Sequence, residues 1–233
     1  MKKLLKRIVV LLLVIVFVCF AVLTGRGYLM YRDALQQQGL SDRVAEIQSN
    51  PNYTPISDLP EMYLDAVVAV EDHRFTQHFG IDLISIGRAT WNNLTSWSLQ
   101  EGGSTITQQL AKNLYFTQEK SFIRKIAEMF MAFNLERTYE KYEILELYVN
   151  SIYFGNGYYC VRSASLGYFG KEPISMSDYE CTLLAGIPNA PSVYSLAANP
   201  ELARQRQQYV IRQMVRYGYI SETEGETIID QQP

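Results

Sequence analysis

The sequence predicts a mainly α-helical chain in which one membrane-spanning helix precedes a helical domain. Three observations predict it. Apolar residues recur at helical spacing from Leu59 onward, no segment shows a convincing strand alternation, and an unbroken apolar run follows four basic residues at the N-terminus. A length of 233 residues suffices for one membrane segment and one domain of ordinary size, and 48% hydrophobic content supports a packed core. Glycine and proline are few and no short motif recurs, which argues against repeat and low-complexity chains.

Lys2, Lys3, Lys6 and Arg7 make residues 1–7 a basic tail. The apolar run from Ile8 to Leu23, extended by Thr24 and Gly25, makes residues 8–25 a transmembrane anchor. A helix of about 18 residues rises ~27 Å, enough for the hydrocarbon layer. Positive charge ahead of the run keeps the tail in the cytoplasm and sends the rest of the chain outside it. No small-x-small cleavage pattern follows, only Ala21-Val-Leu-Thr-Gly, which favours an uncleaved anchor over a signal peptide.

Residues 26–54 read as a connector: 28–38 can continue the helix, and Asn50-Pro51-Asn52 and Thr54-Pro55 break it. Residues 55–233 read as the domain. Ser57 or Asp58 can cap a helix that carries Met62, Ala66, Val67 and Val70 on one face. Proline-free helices are expected over 82–94, 106–114, 122–137, 139–148, 161–168 and 177–185. Asn199 and Pro200 open a helix running to Tyr217, which Gly218 ends, and Ser221 with Glu224 forms a capping box for a last short helix.

Without the tail and anchor, residues 26–233 hold 17 Lys+Arg (21 less the four at the N-terminus) against 24 Asp+Glu, a net charge of −7. Nucleic acid is therefore a poor partner. Cys19 lies in the apolar run. Cys160 and Cys181 lie beyond it, where a disulfide is chemically open to them, but two cysteines define no framework and buried free thiols are the simpler reading. His73 and His78 are the only histidines, and no Cys/His spacing supports structural zinc.

Three segments carry chemistry. In Val68-Ala-Val-Glu71-Asp72-His-Arg-Phe75-Thr-Gln-His78-Phe-Gly80, a carboxylate ends an apolar helical face. Partial burial would raise its pKa toward general-base strength, whereas the plain alternative is a helix end meeting solvent. Phe75 reads as core and His78 as a structural histidine. In Gly102-Gly-Ser-Thr-Ile-Thr-Gln-Gln-Leu-Ala-Lys112, the Ser-Thr pair can cap a helix whose N-terminal amides suit an anion, and neutral donors beside a lysine suit sugar hydroxyls next to a phosphate. Finally, Lys112, Lys120, Arg124 and Lys125 place four cations within 14 residues, and Glu128 stands four after Arg124. That pattern is either an ordinary i,i+4 ion pair or a pyrophosphate cradle with a second carboxylate.

Taken together and in order, these segments resemble the peptidoglycan glycosyltransferases of family 51, in particular the monofunctional members. The matching motifs are Glu71-Asp-x-x-Phe75-x-x-His78-x-Gly80, Gly102-Gly-Ser-Thr-Ile-Thr-Gln-Gln109, Arg124-Lys-x-x-Glu128, Lys141-x-x-Ile-Leu-x-x-Tyr148-x-Asn150 and Leu184-Ala-Gly-Ile-Pro188-x-Ala-Pro191. The resemblance spans about residues 55–220.

The resemblance implies a lysozyme-like helical lobe with a smaller membrane-proximal jaw lobe, and an extracytoplasmic enzyme of the bacterial cytoplasmic membrane. Its substrates would be lipid II and a growing glycan strand on polyprenyl pyrophosphate, joined by an inverting reaction into β-1,4 glycan. Glu71 would be the base, and Glu128 would position substrate or the leaving pyrophosphate. Ser104, Thr105, Gln108, Gln109, Lys112, Lys120, Arg124 and Lys125 would form the substrate-binding set. A divalent metal ion, Mg or Mn, near Glu128 stays open, and other cell-wall synthesis proteins are candidate partners. Residues 79–99, with Trp91 and Trp97, would form the membrane-touching jaw.

Ser-x-x-Lys and Lys-Thr-Gly signatures are missing, so no peptide cross-linking is expected. Two departures stand out: Lys120 replaces a common arginine, and Cys160 and Arg162 stand where relatives often carry Gly and Glu. The competing readings are a muramidase or lytic transglycosylase of lysozyme-like fold, and a non-catalytic cell-wall scaffold.

Overall fold

The protein is described by a computed structural model covering residues 2–96, 103–116 and 121–231. Among the described residues there are twelve α-helices and no strand; Tyr153 and Tyr159 form an isolated antiparallel bridge. In chain order the helices are α1 (Lys2–Gln37), α2 (Leu40–Gln48), α3 (Glu61–Glu71), α4 (Leu83–Ser96), α5 (Ile106–Tyr115), α6 (Phe122–Thr138), α7 (Lys141–Val149), α8 (Val161–Phe169), α9 (Asp178–Gly186), α10 (Pro191–Tyr194), α11 (Pro200–Arg216) and α12 (Glu222–Asp230).

Helix α1 is long and apolar enough to cross a membrane, and none of the described residues buries its most apolar stretch. Nothing in the sequence stops it at Gly25, and it runs on to Gln37 against α6. Gly27 makes that approach close: a Cβ there would sit 2.5 Å from Ile126 Cγ2 and 3.1 Å from the Ile123 carbonyl oxygen. One turn on, the rings of Tyr28 and Tyr31 meet Phe130 at centroid distances of 5.3 and 5.9 Å.

The connector expected over 26–54 is therefore ordered and packed. Tyr31, Ala34 and Leu35 lie against the core, and Leu40 and Val44 of α2 are buried in it, so the domain's packing begins before residue 55. Burial of this second apolar stripe outweighs the Pro-rich breaks that follow it.

The expected cap at Ser57 or Asp58 is also displaced. Those residues form a single 3₁₀ turn, and Pro60 stands at the N-cap of α3. Tyr63, Ala66 and Val67 then face α9 and α11. Helix α9 is the centre of the domain, with Tyr179 and every residue from Cys181 to Gly186 buried. A Ser177/Glu180 capping box starts it, and Gln207 of α11 donates to the Tyr179 carbonyl and to Thr182 Oγ1, so its polar atoms are not stranded. Asn199 and Pro200 open α11, without a side-chain cap bond from Asn199, and the Ser221/Glu224 box starts α12.

Cys160 and Cys181 are buried free thiols. Cys160 has φ of 71°, a conformation that glycine adopts freely and that explains why glycine is common there in the family the sequence resembles. Arg162 forms a two-pronged pair with the exposed Glu172, away from the core.

Candidate active site

Helix α3 ends on Glu71 because its apolar face is consumed by α9 and α11, so its last turn delivers a carboxylate to the inner wall of a cleft of about 290 Å³. The side chain is 8% exposed. Gln109 Nε2 on α5 donates to Glu71 Oε2 at 2.7 Å, and Arg206 Nη2 on α11 lies 4.0 Å from Glu71 Oε1, which accepts no hydrogen bond among the described residues. Burial raises the Glu71 pKa; the Gln109 bond, Arg206 and Lys112 oppose the rise, and Asp72 adds to it. One oxygen is held and the other is buried without a hydrogen-bond partner, which leaves it able to accept a proton as a general base must.

Asp72 points the other way. It caps α3, pairs with His78 Nε2 at 2.9 Å and accepts the Ile106 amide at 3.1 Å. The first free amide of α5 is thereby satisfied by the protein's own carboxylate. The capping box takes up two more amides: Gln108 N donates to Thr105 Oγ1 and Thr105 N to Gln108 Oε1, while Thr105 Oγ1 donates to the Gly80 carbonyl. The helix N-terminus expected to receive an anion is thus used internally at Thr105, Ile106 and Gln108. Gln108 is 1% exposed and absent from the cleft lining, while its neighbour Gln109 is the residue that reaches Glu71.

Lys112 lines the cleft one turn beyond Gln108. Burial pushes its pKa down; Glu128 and Glu71 push it up, and Arg124 and Lys125 push it down. Lys112 therefore stands in the fields of both carboxylates. Glu128, 1% exposed on α6, pairs with Arg124 Nε and Lys125 Nζ, each at 3.1 Å. Lys125 Nζ also donates to Ser104 Oγ at 2.7 Å, and Ser104 lines the cleft beside Thr105. The Glu128 cluster thus borders the Glu71 cleft through Lys112 and Ser104. On its far side Arg124 also lines a groove with Arg26, Leu29 and Met30 of α1.

Of the residues expected at the site, Glu71, Ser104, Thr105, Gln109 and Lys112 line one cleft; Arg124, Lys125 and Glu128 adjoin it; Gln108 is taken up by the cap; and Lys120 lies outside the described residues. Around Glu128 the donor set does not fit a resident divalent ion. Both its oxygens face cations, and no group of three His, Cys, Asp or Glu converges among the described residues.

Arg206 is the site residue that sequence reading missed. It lies over the rings of Tyr209 and Tyr194 at 4.7 and 5.8 Å. A second pocket continues past Gln109 and Lys112 along Tyr153, Tyr159 and Asn189. Across the cleft, His73 stacks on Tyr217 at 3.9 Å and meets Arg88 Nη1 at 3.3 Å.

The chain is similar to known proteins over most of its length. Residues 39–215 match the family model described as Transglycosylase. Penicillin-binding protein 1F of Bacillus subtilis is 43% identical over 187 residues, 80% of this chain and 26% of that one. A protein of Cupriavidus necator, itself named only by inference as a transglycosylase, is 43% identical over 183 residues, 78% of this chain and 79% of that one. The crystal structure of penicillin-binding protein 1A from Haemophilus influenzae matches 78% of this chain and 17% of that chain, with a TM-score of 0.47 and 21% identity. This chain spans about a quarter of the penicillin-binding protein 1F that it matches. It belongs to the transglycosylase family, the peptidoglycan glycosyltransferases of family 51.

Proposed function

We propose that this chain, anchored by α1 with its domain outside the cytoplasm, polymerises lipid II into β-1,4 glycan with inversion at the anomeric carbon. The observation that carries the reading is the divided use of the Glu71 carboxylate: one oxygen is fixed by Gln109, and the other accepts no hydrogen bond among the described residues, at the wall of a cleft that Lys112 also lines.

In this reading the acceptor sugar gives its 4-hydroxyl proton to the unpartnered Glu71 oxygen as its own oxygen attacks the donor's anomeric carbon. The bond from that carbon to the pyrophosphate oxygen breaks, and the electron pair leaves with polyprenyl pyrophosphate. Charge grows on the leaving group, where Lys112, Arg124 and Lys125 are already held in place. Donors that need no reorganisation stabilise such charge best. Glu128 keeps Arg124 and Lys125 aimed, and a diphosphate competes with it for them. A lytic enzyme acting on neutral glycan has no use for that cation cluster.

The exposed Phe79, Leu83, Ile84 and Trp91 support membrane contact around α4, where a lipid-linked substrate is presented. Incubating the detergent-solubilised chain with lipid II, and separately with finished glycan strands, tests the function. Polymer and free polyprenyl pyrophosphate from the first mixture are expected. Strand cleavage in the second, or no turnover in either, overturns it.

A further inference from the structure

Gln109 reaches Glu71 only if its side-chain amide is turned the right way, and a second buried residue sets that turn. Tyr148 on α7 is fully buried, and its hydroxyl donates to Gln109 Oε1 at 3.1 Å. Gln109 Nε2 then donates to Glu71 Oε2 at 2.7 Å. The chain of contacts Tyr148–Gln109–Glu71 joins α7, α5 and α3 and ends on the carboxylate.

Chemistry fixes its polarity. The phenol proton has no other acceptor among the described residues, so the amide oxygen must face Tyr148 for that proton to be bonded. With the oxygen committed, the –NH₂ faces Glu71, and an N–H donor there favours the carboxylate over the acid. If the amide turned over, its oxygen would confront Glu71, and only a protonated Glu71 could bond to it.

We infer that Tyr148 is a positioning residue for the reaction, holding Gln109 in the one orientation that keeps Glu71 ionised and able to accept a proton. The inference rests on the proposal that Glu71 is the base. Tyr148 borders the second pocket beside Gln109, and its part in the reaction passes through Gln109. The burial that raises the Glu71 pKa is what makes a fixed donor useful. Glu71 is also faced by Arg206 from α11, Lys112 from α5 and Asp72 beside it, and Tyr148 is the group from α7. None of the three charged neighbours depends on the phenol hydroxyl, so its removal isolates the amide.

The test uses the full-length chain in detergent with lipid II and four proteins: wild type, Tyr148→Phe, Gln109→Ala and the double variant. Phenylalanine keeps the buried ring. Tyr148→Phe is expected to lower kcat by about tenfold, the kinetic equivalent of one hydrogen bond, with KM held within about twofold. The acid limb of its pH–rate profile should move to higher pH, because an unbiased amide can bond protonated Glu71. In the Gln109→Ala background the same change should add nothing, since the part it acts through is gone.

An unmoved acid limb, or a full additional loss in the Gln109→Ala background, overturns the role of Tyr148 and leaves it a core residue. A Glu71→Gln control separates this outcome from failure of the parent reading. If that control keeps polymerising, Glu71 is not the base; if it is inactive while Tyr148→Phe behaves as wild type, only the positioning role falls.

Discussion

Arg206 on α11 brings its guanidinium to 4.0 Å from the Glu71 carboxylate at the end of α3, and both side chains are largely shielded from water. The two helices pack on each other and on α9, so the pair is fixed by the core and not by a loop. A cation beside a buried carboxylate offsets part of its desolvation, which leaves Glu71 basic yet ionisable.

Glu71→Gln should abolish polymerisation, with a loss of about 10²–10⁴-fold or more for a removed general base. It should also raise stability at neutral pH. The folded-state pKa of Glu71 is raised, so the folded protein binds that proton more tightly than the unfolded chain, and stability is lost as pH climbs from the ordinary carboxylate value through the raised one. The neutral amide escapes that loss. Melting curves should therefore favour Glu71→Gln at pH 7 by about 2–4 °C for each kcal/mol. The gap should close below the ordinary carboxylate range; a gap that widens on acidification contradicts the buried, raised carboxylate.

Arg206→Ala removes the cation that faces the unpartnered oxygen of Glu71. The Glu71 pKa then rises further, and the acid limb of the pH–rate profile moves up. kcat/KM should fall by about tenfold or more, as expected for an ionic contact in a partly dry site. Arg206→Lys keeps the charge but loses the planar stacking over Tyr209, so it should recover the limb more fully than the rate. A profile unchanged in both variants would show that Arg206 serves packing alone.

How much of this was legible in the sequence depends on how local each signal is. Glu71, Lys112, Arg124 and Glu128 stand on segments whose internal spacing already places them, and the helices were readable from period and caps. The Thr105-x-x-Gln108 capping box was also readable, and it assigns Gln108 to the helix start rather than to a ligand. Arg206 was hidden among the arginines of α11. Its one local signal is position: Ala203, Gln207, Val210 and Met214 form the buried stripe, and Arg206 falls on that same face. The Asp72 bond to the α5 amide joins residues 34 apart in sequence, and no local pattern announces it.

Trp91 is 69% exposed on α4, in company with the exposed Leu83 and Ile84. If this face meets the bilayer, Trp91 sits at headgroup depth, where aromatic rings favour the interface. The chain has two tryptophans, so Trp97→Phe leaves Trp91 as the sole indole. Its emission, measured on the full chain in nanodiscs, should be quenched by lipids brominated near the headgroup and little by aqueous iodide. Strong iodide quenching with no bromolipid effect would place α4 in water and remove the proposed membrane contact.

Gly27→Leu tests whether the anchor is rigidly joined to α6, the helix that carries Glu128. A Cβ at Gly27 would meet Ile126 Cγ2 at 2.5 Å, and backbone at Ile123 blocks retreat on the other side. Overpacking of this kind costs about 1–3 kcal/mol when the neighbours cannot move. Here α6 cannot yield cheaply, because its opposite face carries Glu128 with Arg124 and Lys125. The strain should therefore be relieved by α1 lifting off, with Tyr28 and Tyr31 losing Phe130. A disulfide engineered between Tyr28→Cys and Phe130→Cys should form readily in the parent chain and slowly with Gly27→Leu. Polymerisation of lipid II embedded in vesicles should fall more than polymerisation in detergent, because only a membrane demands a set distance from bilayer to cleft. Equal losses in both media would mean that the joint stabilises the fold without setting that distance.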